Sequence, residues 1–155
     1  MRRFVLDTNM VLAALKDHPV WREAATEHGL GADDALVIIS VATMAELRSL
    51  AEQNGWGDAK KEKLEKLLRR YVIIDISHND GALMEAYSRI DAFSQGRLTG
   101  YTLGLTSRNM GKNDLWIAAT AAVTKAKLLT TDADFDHLKE GFVDLDRRKP
   151  GAAPK

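Results

Sequence analysis

Residues 4–15 read Phe-Val-Leu-Asp-Thr-Asn-Met-Val-Leu-Ala-Ala-Leu, and two textures meet within them. Phe4-Val5-Leu6 is a continuous apolar run that stops at Asp7. From Asn9 to Leu15 the pattern turns helical. A short apolar run that ends on a polar residue and passes straight into a helix is the opening of a βα unit. The same change of texture recurs along the chain. Leu36-Val37-Ile38-Ile39 leads into a helical pattern over 42–53, and Tyr71-Val72-Ile73-Ile74 is followed by another over 80–94. Lys127-Leu128-Leu129 precedes a short helix around Phe135 to Lys139, and Phe142-Val143 is the last apolar run. Residues 20–28, 58–70 and 114–126 supply further helices. The strand runs are continuous rather than alternating, which suits strands buried on both faces. Strands alternating with helices predict an α/β fold, a single domain whose central, mostly parallel, twisted β-sheet is flanked by helices. The domain is expected to span 1–146, followed by a basic, disordered tail at 147–155. Residues 94–112, with Gly96, Gly100, Gly104 and Gly111, read as a long loop, or as a loop with a short helix inside it.

Composition narrows the function. The 155 residues carry 22 basic and 22 acidic side chains, so the whole surface does not grip nucleic acid by net charge. Cysteine is absent, which excludes a disulfide scaffold, Cys-ligated zinc and thiol catalysis. A cytoplasmic location is consistent with this. No apolar stretch approaches the ~18 residues of a membrane span. Arg2-Arg3 before Phe4-Val5-Leu6 imitates a secretory signal, but Asp7 and Asn9 interrupt the apolar run, so these residues are expected to form the first strand. There is no GxxxxGK[ST] loop, no GxSxG elbow and no GxGxxG turn after the first strand. His18, His28, His78 and His137 are scattered, with no pair at metal-binding helical spacing.

What remains is a set of acids at element boundaries. Asp7 ends the first strand, where open α/β sheets bind their ligands; it could equally cap the helix that follows. Glu46 lies one turn into a helix, and Thr43-x-x-Glu46 matches a capping box. Asp114 opens the run Asp-Leu-Trp-Ile-Ala-Ala, with Asn113 as the expected N-cap. Asn79-Asp80 precedes a helix in the same way, so an Asn-Asp pair alone marks no site. Asp132, with Asp134 and Asp136 close behind, follows the strand Leu128-Leu129-Thr130. Two strand-end acids and two helix-start acids would meet at one edge of a parallel sheet. Carboxylates ~4 Å apart repel by about 4 kcal/mol per pair at an effective dielectric of 20. Such a cluster must bind a cation or hold protons. With oxygen ligands alone the cation is hard, Mg²⁺ or Mn²⁺, and carboxylate-held Mg²⁺ serves phosphate-ester chemistry.

Four blocks carry a family likeness: Phe4-Val-Leu-Asp-Thr-Asn9, Ala45-Glu46-Leu47, Asn113-Asp-Leu-Trp-Ile-Ala-Ala119 and Leu128-Leu-Thr-Thr-Asp-Ala-Asp-Phe135. In this order the chain resembles the PIN-domain nucleases, and among them the VapC-like toxins of type II toxin–antitoxin pairs. The resemblance implies a single PIN-like domain and a metal-dependent endoribonuclease. It places the catalytic, metal-holding acids at Asp7, Glu46, Asp114 and Asp132, with Asn9, Thr130 and Asp134 in support. It implies one or two Mg²⁺ or Mn²⁺ ions and hydrolysis of an RNA phosphodiester that leaves a 5′ phosphate. It further implies a homodimer and a cognate antitoxin lying across the helices after the first strands. Val20, Trp21, Leu47 and Leu50 are either that surface or core.

RNA, possibly transfer or messenger RNA, must reach an acidic site, so cations should flank it. Arg97, Arg108 and Lys112 are the candidates for substrate binding. Lys60, Lys61, Lys63, Lys66, Arg69 and Arg70 alternate with Glu62 and Glu65 and read as a solvated helix face. Other readings stay open. PIN nucleases also process RNA outside toxin pairs, and a PIN-like domain can serve as a binding module without catalysis. A haloacid-dehalogenase-type phosphatase also begins on a strand-end Asp, but it needs an acid two residues later, where Asn9 stands.

Overall fold

The computed structural model describes residues 1–151. In it β1 (Arg2–Leu6) occupies the centre of a five-stranded sheet, between β2 (Ala35–Ser40) and β4 (Lys127–Thr130), while β3 (Val72–Ile74) and β5 (Asp144–Arg147) form the edges. All four pairings are parallel, so the sheet is wholly rather than mostly parallel. Val5 stands opposite both Ile38 and Leu128, and Leu6 opposite Leu129. Because successive side chains point to opposite faces, these apolar runs fill two cores. Val5, Ile38, Leu128 and Leu145 face α5 (Gly81–Ser94) and α6 (Lys112–Thr124). Phe4, Leu6, Ile39 and Leu129 face α1 (Thr8–Leu15), α2 (Pro19–His28), α3 (Val41–Gln53) and α4 (Asp58–Leu68). Each fully buried Leu or Ile contributes about 1.5–3 kcal/mol relative to exposure.

Local chemistry explains where the helices start and stop. Asp7, Ser40 and Asp80 each place a side-chain oxygen on an N–H of the helix that follows. His18 does the same with Nδ1, and Pro19 opens α2 at a position that needs no N–H. Gly29 ends α2 in the left-handed region at φ 60°, a conformation that costs a side-chain-bearing residue about 1–2 kcal/mol. In α6 the run Ala118-Ala119, with Ala121, lets the helix lie close to the sheet. All three are buried.

The topology decides where a site can form. From β1 the chain moves outward to β2 and β3, then returns across β1 to β4 and β5. The order therefore reverses between β1 and β4. At such a point the connections leave in opposite directions and open a crevice at the carboxyl ends of the strands. Asp7 directly follows β1, and Asp132 lies just beyond β4.

Several expectations need correction. The last strand is not Phe142-Val143 but Asp144–Arg147; Phe142 and Val143 instead pack into the core ahead of it. The tail starts later than Arg147. Arg147 belongs to β5 and forms a two-point pair with Asp136, and Arg148 binds Asp146 at 2.8 Å together with Glu27. His28 joins that network, with Nε2 2.7 Å from Asp146 Oδ2. Residues 152–155 of the expected tail lie outside the described residues. The helix expected at 58–70 ends at Leu68, and the short helix after β4 is a 3₁₀ helix, Ala133–Leu138. Between α5 and α6 the chain forms a loop without a helix inside it. Val20 and Leu47 are core, not surface. On α4 the lysines form exposed ion pairs, Lys61 with Glu52 and Lys66 with Glu62, as a solvated face should. Among the described residues no helix is long and apolar enough to cross a membrane.

Candidate active site

Asp7 is the innermost acid, only 3% exposed. Its backbone N–H still donates to the Leu129 carbonyl, so the sheet holds its main chain. Its carboxylate is gripped twice. Oδ1 accepts from the Met10 N–H at 2.8 Å, and Oδ2 accepts from the Thr130 hydroxyl. The same Thr130 oxygen accepts from the Asp132 N–H at 2.9 Å. Thr130 thus ties the acid after β1 to the acid after β4. Asp132 in turn accepts from the Asp134 N–H at 2.8 Å and caps the 3₁₀ helix.

The local and the functional readings of Asp7 are therefore both satisfied: one oxygen caps α1 while the group sits at the crevice. For Glu46 and Asp114 the local readings fail. Ser40, not Thr43, caps α3. Thr43 is buried, and its hydroxyl has no partner among the described residues. Glu46 is not part of a capping box. Asn113 does not cap α6, which begins at Lys112 after Gly111. Instead Asn113 Nδ2 donates to Glu46 Oε2 at 2.9 Å, across the gap between α6 and α3. Asp80, the control, does cap α5, with Oδ1 accepting from Leu83.

Asp114, Asp132 and Asp134 bring carboxylate oxygens within 4.8 Å of one another. Asp134, expected only in support, is a full member of this trio. Asp136 is not, being committed to Arg147. Burial pushes the Asp7 carboxyl up to about 7. The Thr130 and Met10 hydrogen bonds pull it back, and the charges of Asp114 and Asp132 add to the rise. Burial likewise pushes Asp114 up to about 6, helped by Asp132, Glu46 and Asp134. Near neutral pH the cluster is short of positive charge. Its donors are oxygens alone, with neither cysteine nor histidine among them, which suits a hard divalent ion.

The flanking cations are not equivalent. Lys112 lines a shallow cleft with Glu46, Gly111, Asn113 and Asp114. Arg108 lies close enough to His137 to help burial hold that imidazole below its ordinary value. Arg97 is exposed and does not line that cleft; its N–H donates to Ala92 at the end of α5. Asn9 is exposed on the first turn of α1.

Comparison with known proteins agrees with this architecture. A chain in the crystal structure of VapBC2 from Rickettsia felis bound to a promoter DNA fragment superposes with a TM-score of 0.69. The two are 24% identical, over 94% of this chain and 98% of that one. VapBC-1 from nontypeable Haemophilus influenzae gives a TM-score of 0.68 at 22% identity, over 94% and 97%. VapBC-5 from Mycobacterium tuberculosis, a member of the VapBC family of toxin–antitoxin systems, gives 0.57 at 24% identity, over 95% and 98%. No curated protein matches. The model of the PIN domain matches residues 4–141, nearly the whole described chain, and this protein belongs to the PIN domain family.

Proposed function

We propose that this protein is a divalent-metal-dependent endoribonuclease and the toxin of a toxin–antitoxin pair. The observation that carries the reading is the convergence of Asp114, Asp132 and Asp134 beside buried Asp7 at the strand-order reversal. Membership in the PIN family supports nuclease chemistry, and the likeness to chains of toxin–antitoxin complexes supports the partner.

Asp7, Asp114, Asp132 and Asp134 would hold Mg²⁺ or Mn²⁺. A divalent ion there acidifies water and neutralises charge on a phosphodiester. The chain supplies the rest. Thr130 keeps Asp7 in one orientation. Asn113 occupies one oxygen of Glu46 and leaves Oε1 to accept a proton from water. Lys112 offers its ammonium to a phosphate oxygen at the rim. A cognate antitoxin and a second copy of the chain are the protein partners this reading includes.

The test is cleavage of total RNA and of transfer RNA with Mg²⁺, with Mn²⁺ and with chelator, beside Mn²⁺ calorimetry. Discrete fragments that require metal are expected. Asp7 and Asp114 must lose protons to bind a cation, so Mn²⁺ affinity should rise at least tenfold from about pH 5.5 to about pH 8, with proton release. Cleavage undiminished by chelator, or Mn²⁺ affinity flat with pH, would contradict the proposal.

Asn113→Ala gives a second expected result. It should weaken Mn²⁺ binding by about 10–100-fold, the usual cost of losing an outer partner of a ligand. The melting temperature of the metal-free protein should stay within about 2 °C, because both side chains lie at the rim. An unchanged affinity would mean that Glu46 needs no such support.

A further inference from the structure

Beside Asn9 and Thr131 lies a cleft of about 200 Å³ that the catalytic reading leaves unused. Its floor is apolar, built from Leu12, Ala13 and Val20, and its rim carries Lys16 and His18. The volume falls below the ~300–1,000 Å³ of a drug-sized ligand site, so the cleft suits a fragment rather than a whole cofactor.

The rim groups are poised for an anion. Lys16 is exposed and makes no ion pair among the described residues. His18 is fixed by its own helix. Nδ1 accepts the Val20 N–H at 3.1 Å, so the ring proton must sit on Nε2. Nε2 is then a donor, and it has no hydrogen-bond partner among the described residues. An apolar floor with one fixed N–H donor and one ammonium at its edge fits a base or ribose below and a phosphate above.

The position gives the cleft its meaning. Asn9 sits on the first turn of α1, the turn that Asp7 caps, and Thr131 lies between Thr130 and Asp132. The cleft therefore opens at the Asp7–Asp132 end of the acids. Lys112 stands at the other end, with Glu46 and Asp114. A single strand crossing the acids from Lys112 would bring its next nucleotide to Lys16 and His18.

We infer that this cleft, where Leu12, Ala13 and Val20 meet Lys16 and His18, seats one nucleotide of the RNA next to the bond that is cut. The inference rests on the endoribonuclease reading and adds a binding site to it. RNA is favoured over a peptide partner because the two rim groups are both anion binders and the space is one nucleotide deep.

The probe is a fluorescein-labelled single-stranded RNA of mixed sequence, about 12 nucleotides long. It is titrated by anisotropy into full-length Asp7→Asn protein with Mg²⁺ present. The comparison protein adds Lys16→Gln and His18→Asn. Asparagine is itself a good N-cap, so α2 keeps its first hydrogen bond while the Nε2 donor is lost. RNA affinity is expected to fall about tenfold at low salt. The slope of log affinity against log salt should shrink by about 1, the value for roughly two lost phosphate contacts on a single strand. Uridine 5′-monophosphate should also shift the His18 imidazole resonances in the parent. If the double change lowers the melting temperature by more than about 3 °C, Lys16→Gln alone is judged, with half the change in slope. Equal affinity and slope in the two proteins, with the parent binding RNA, would overturn the cleft and leave the nuclease reading standing. If those changes instead abolished binding of a protein partner and left RNA binding intact, the nucleotide site would likewise fall. A parent that binds no RNA, from a wild type that cuts none, would overturn both readings together.

Discussion

Asp7→Asn is expected to slow RNA cleavage by at least about 100-fold and, in the same protein, to raise the melting temperature of the metal-free chain. The first effect follows from the place of Asp7 in the acid cluster. Losing even an outer partner of a metal ligand costs about 10–100-fold, and a ligand should cost no less. The second effect follows from linkage. In the native chain burial pushes Asp7 up to about 7, whereas unfolded it titrates at its ordinary 3.8. Between those values the native state holds a proton that the unfolded state has released. Stability therefore falls as pH rises from about 4 to about 7, and the penalty is fully present above 7. At ~1.36 kcal/mol per pH unit it approaches about 4 kcal/mol. Asparagine escapes this cost and can still accept from Met10 and meet the Thr130 hydroxyl. Metal-free Asp7→Asn should melt roughly 5–10 °C above wild type near pH 8 and about level with it near pH 4. The Mn²⁺-induced rise seen in wild type should vanish. A variant that cuts at the wild-type rate, or melts several degrees lower near pH 8, would refute this account of the site.

Phe135→Ala should produce the other large change. Phe135 is fully buried, in the 3₁₀ helix between exposed Asp134 and Asp136. It belongs to the core with Leu128, Leu138 and Val143. Truncating a buried Phe costs about 3–5 kcal/mol, so the melting temperature should drop by roughly 10 °C. The same ring holds down the segment that carries Asp132 and Asp134. Mn²⁺ affinity should therefore fall as well. Leu145→Ala is the control. It removes a buried side chain from β5, and it should destabilise by about 2–5 kcal/mol while leaving metal affinity in place. Equal loss of affinity in both variants would mean that general loosening, not the anchoring of Asp132 and Asp134, is responsible.

Much of this was legible from residue order alone, for a physical reason. Strands buried on both faces must be apolar throughout, and the polar residue that ends each run marks its carboxyl end. Asp7 and Asp132 were placed in that way. The features that escaped depend on contacts distant in sequence. Asn113 beside Asp114 has the form of a helix cap, and nothing local reveals that its amide reaches Glu46, 67 residues earlier. Thr43 and Glu46 have capping-box spacing, but Ser40 takes the cap because the strand ends there. β5 was misplaced because an edge strand needs no continuous apolar run. Its Asp144, Asp146 and Arg147 pair outward, while the apolar Phe142-Val143 lies in the turn before it. Asp132, Asp134 and Asp136 could not be sorted until Arg147 was seen to take the last.

The central place of β1 has a consequence for the chain as it is made. Its neighbour β4 begins at Lys127, so one side of the first strand to be synthesised stays unpaired until nearly the last. Domains fold from their N-terminal end as they emerge at about 5–20 residues per second, and pairings this distant form late. A nascent chain bearing Asp7 and Glu46 has neither Thr130 to orient the first acid nor Asp114 and Asp132 to complete the set. The acids are divided between the two ends of the polypeptide. An incomplete chain on the ribosome, surrounded by RNA, therefore cannot assemble the cutting centre, and the finished protein acquires it in one step when β4 slots in beside β1.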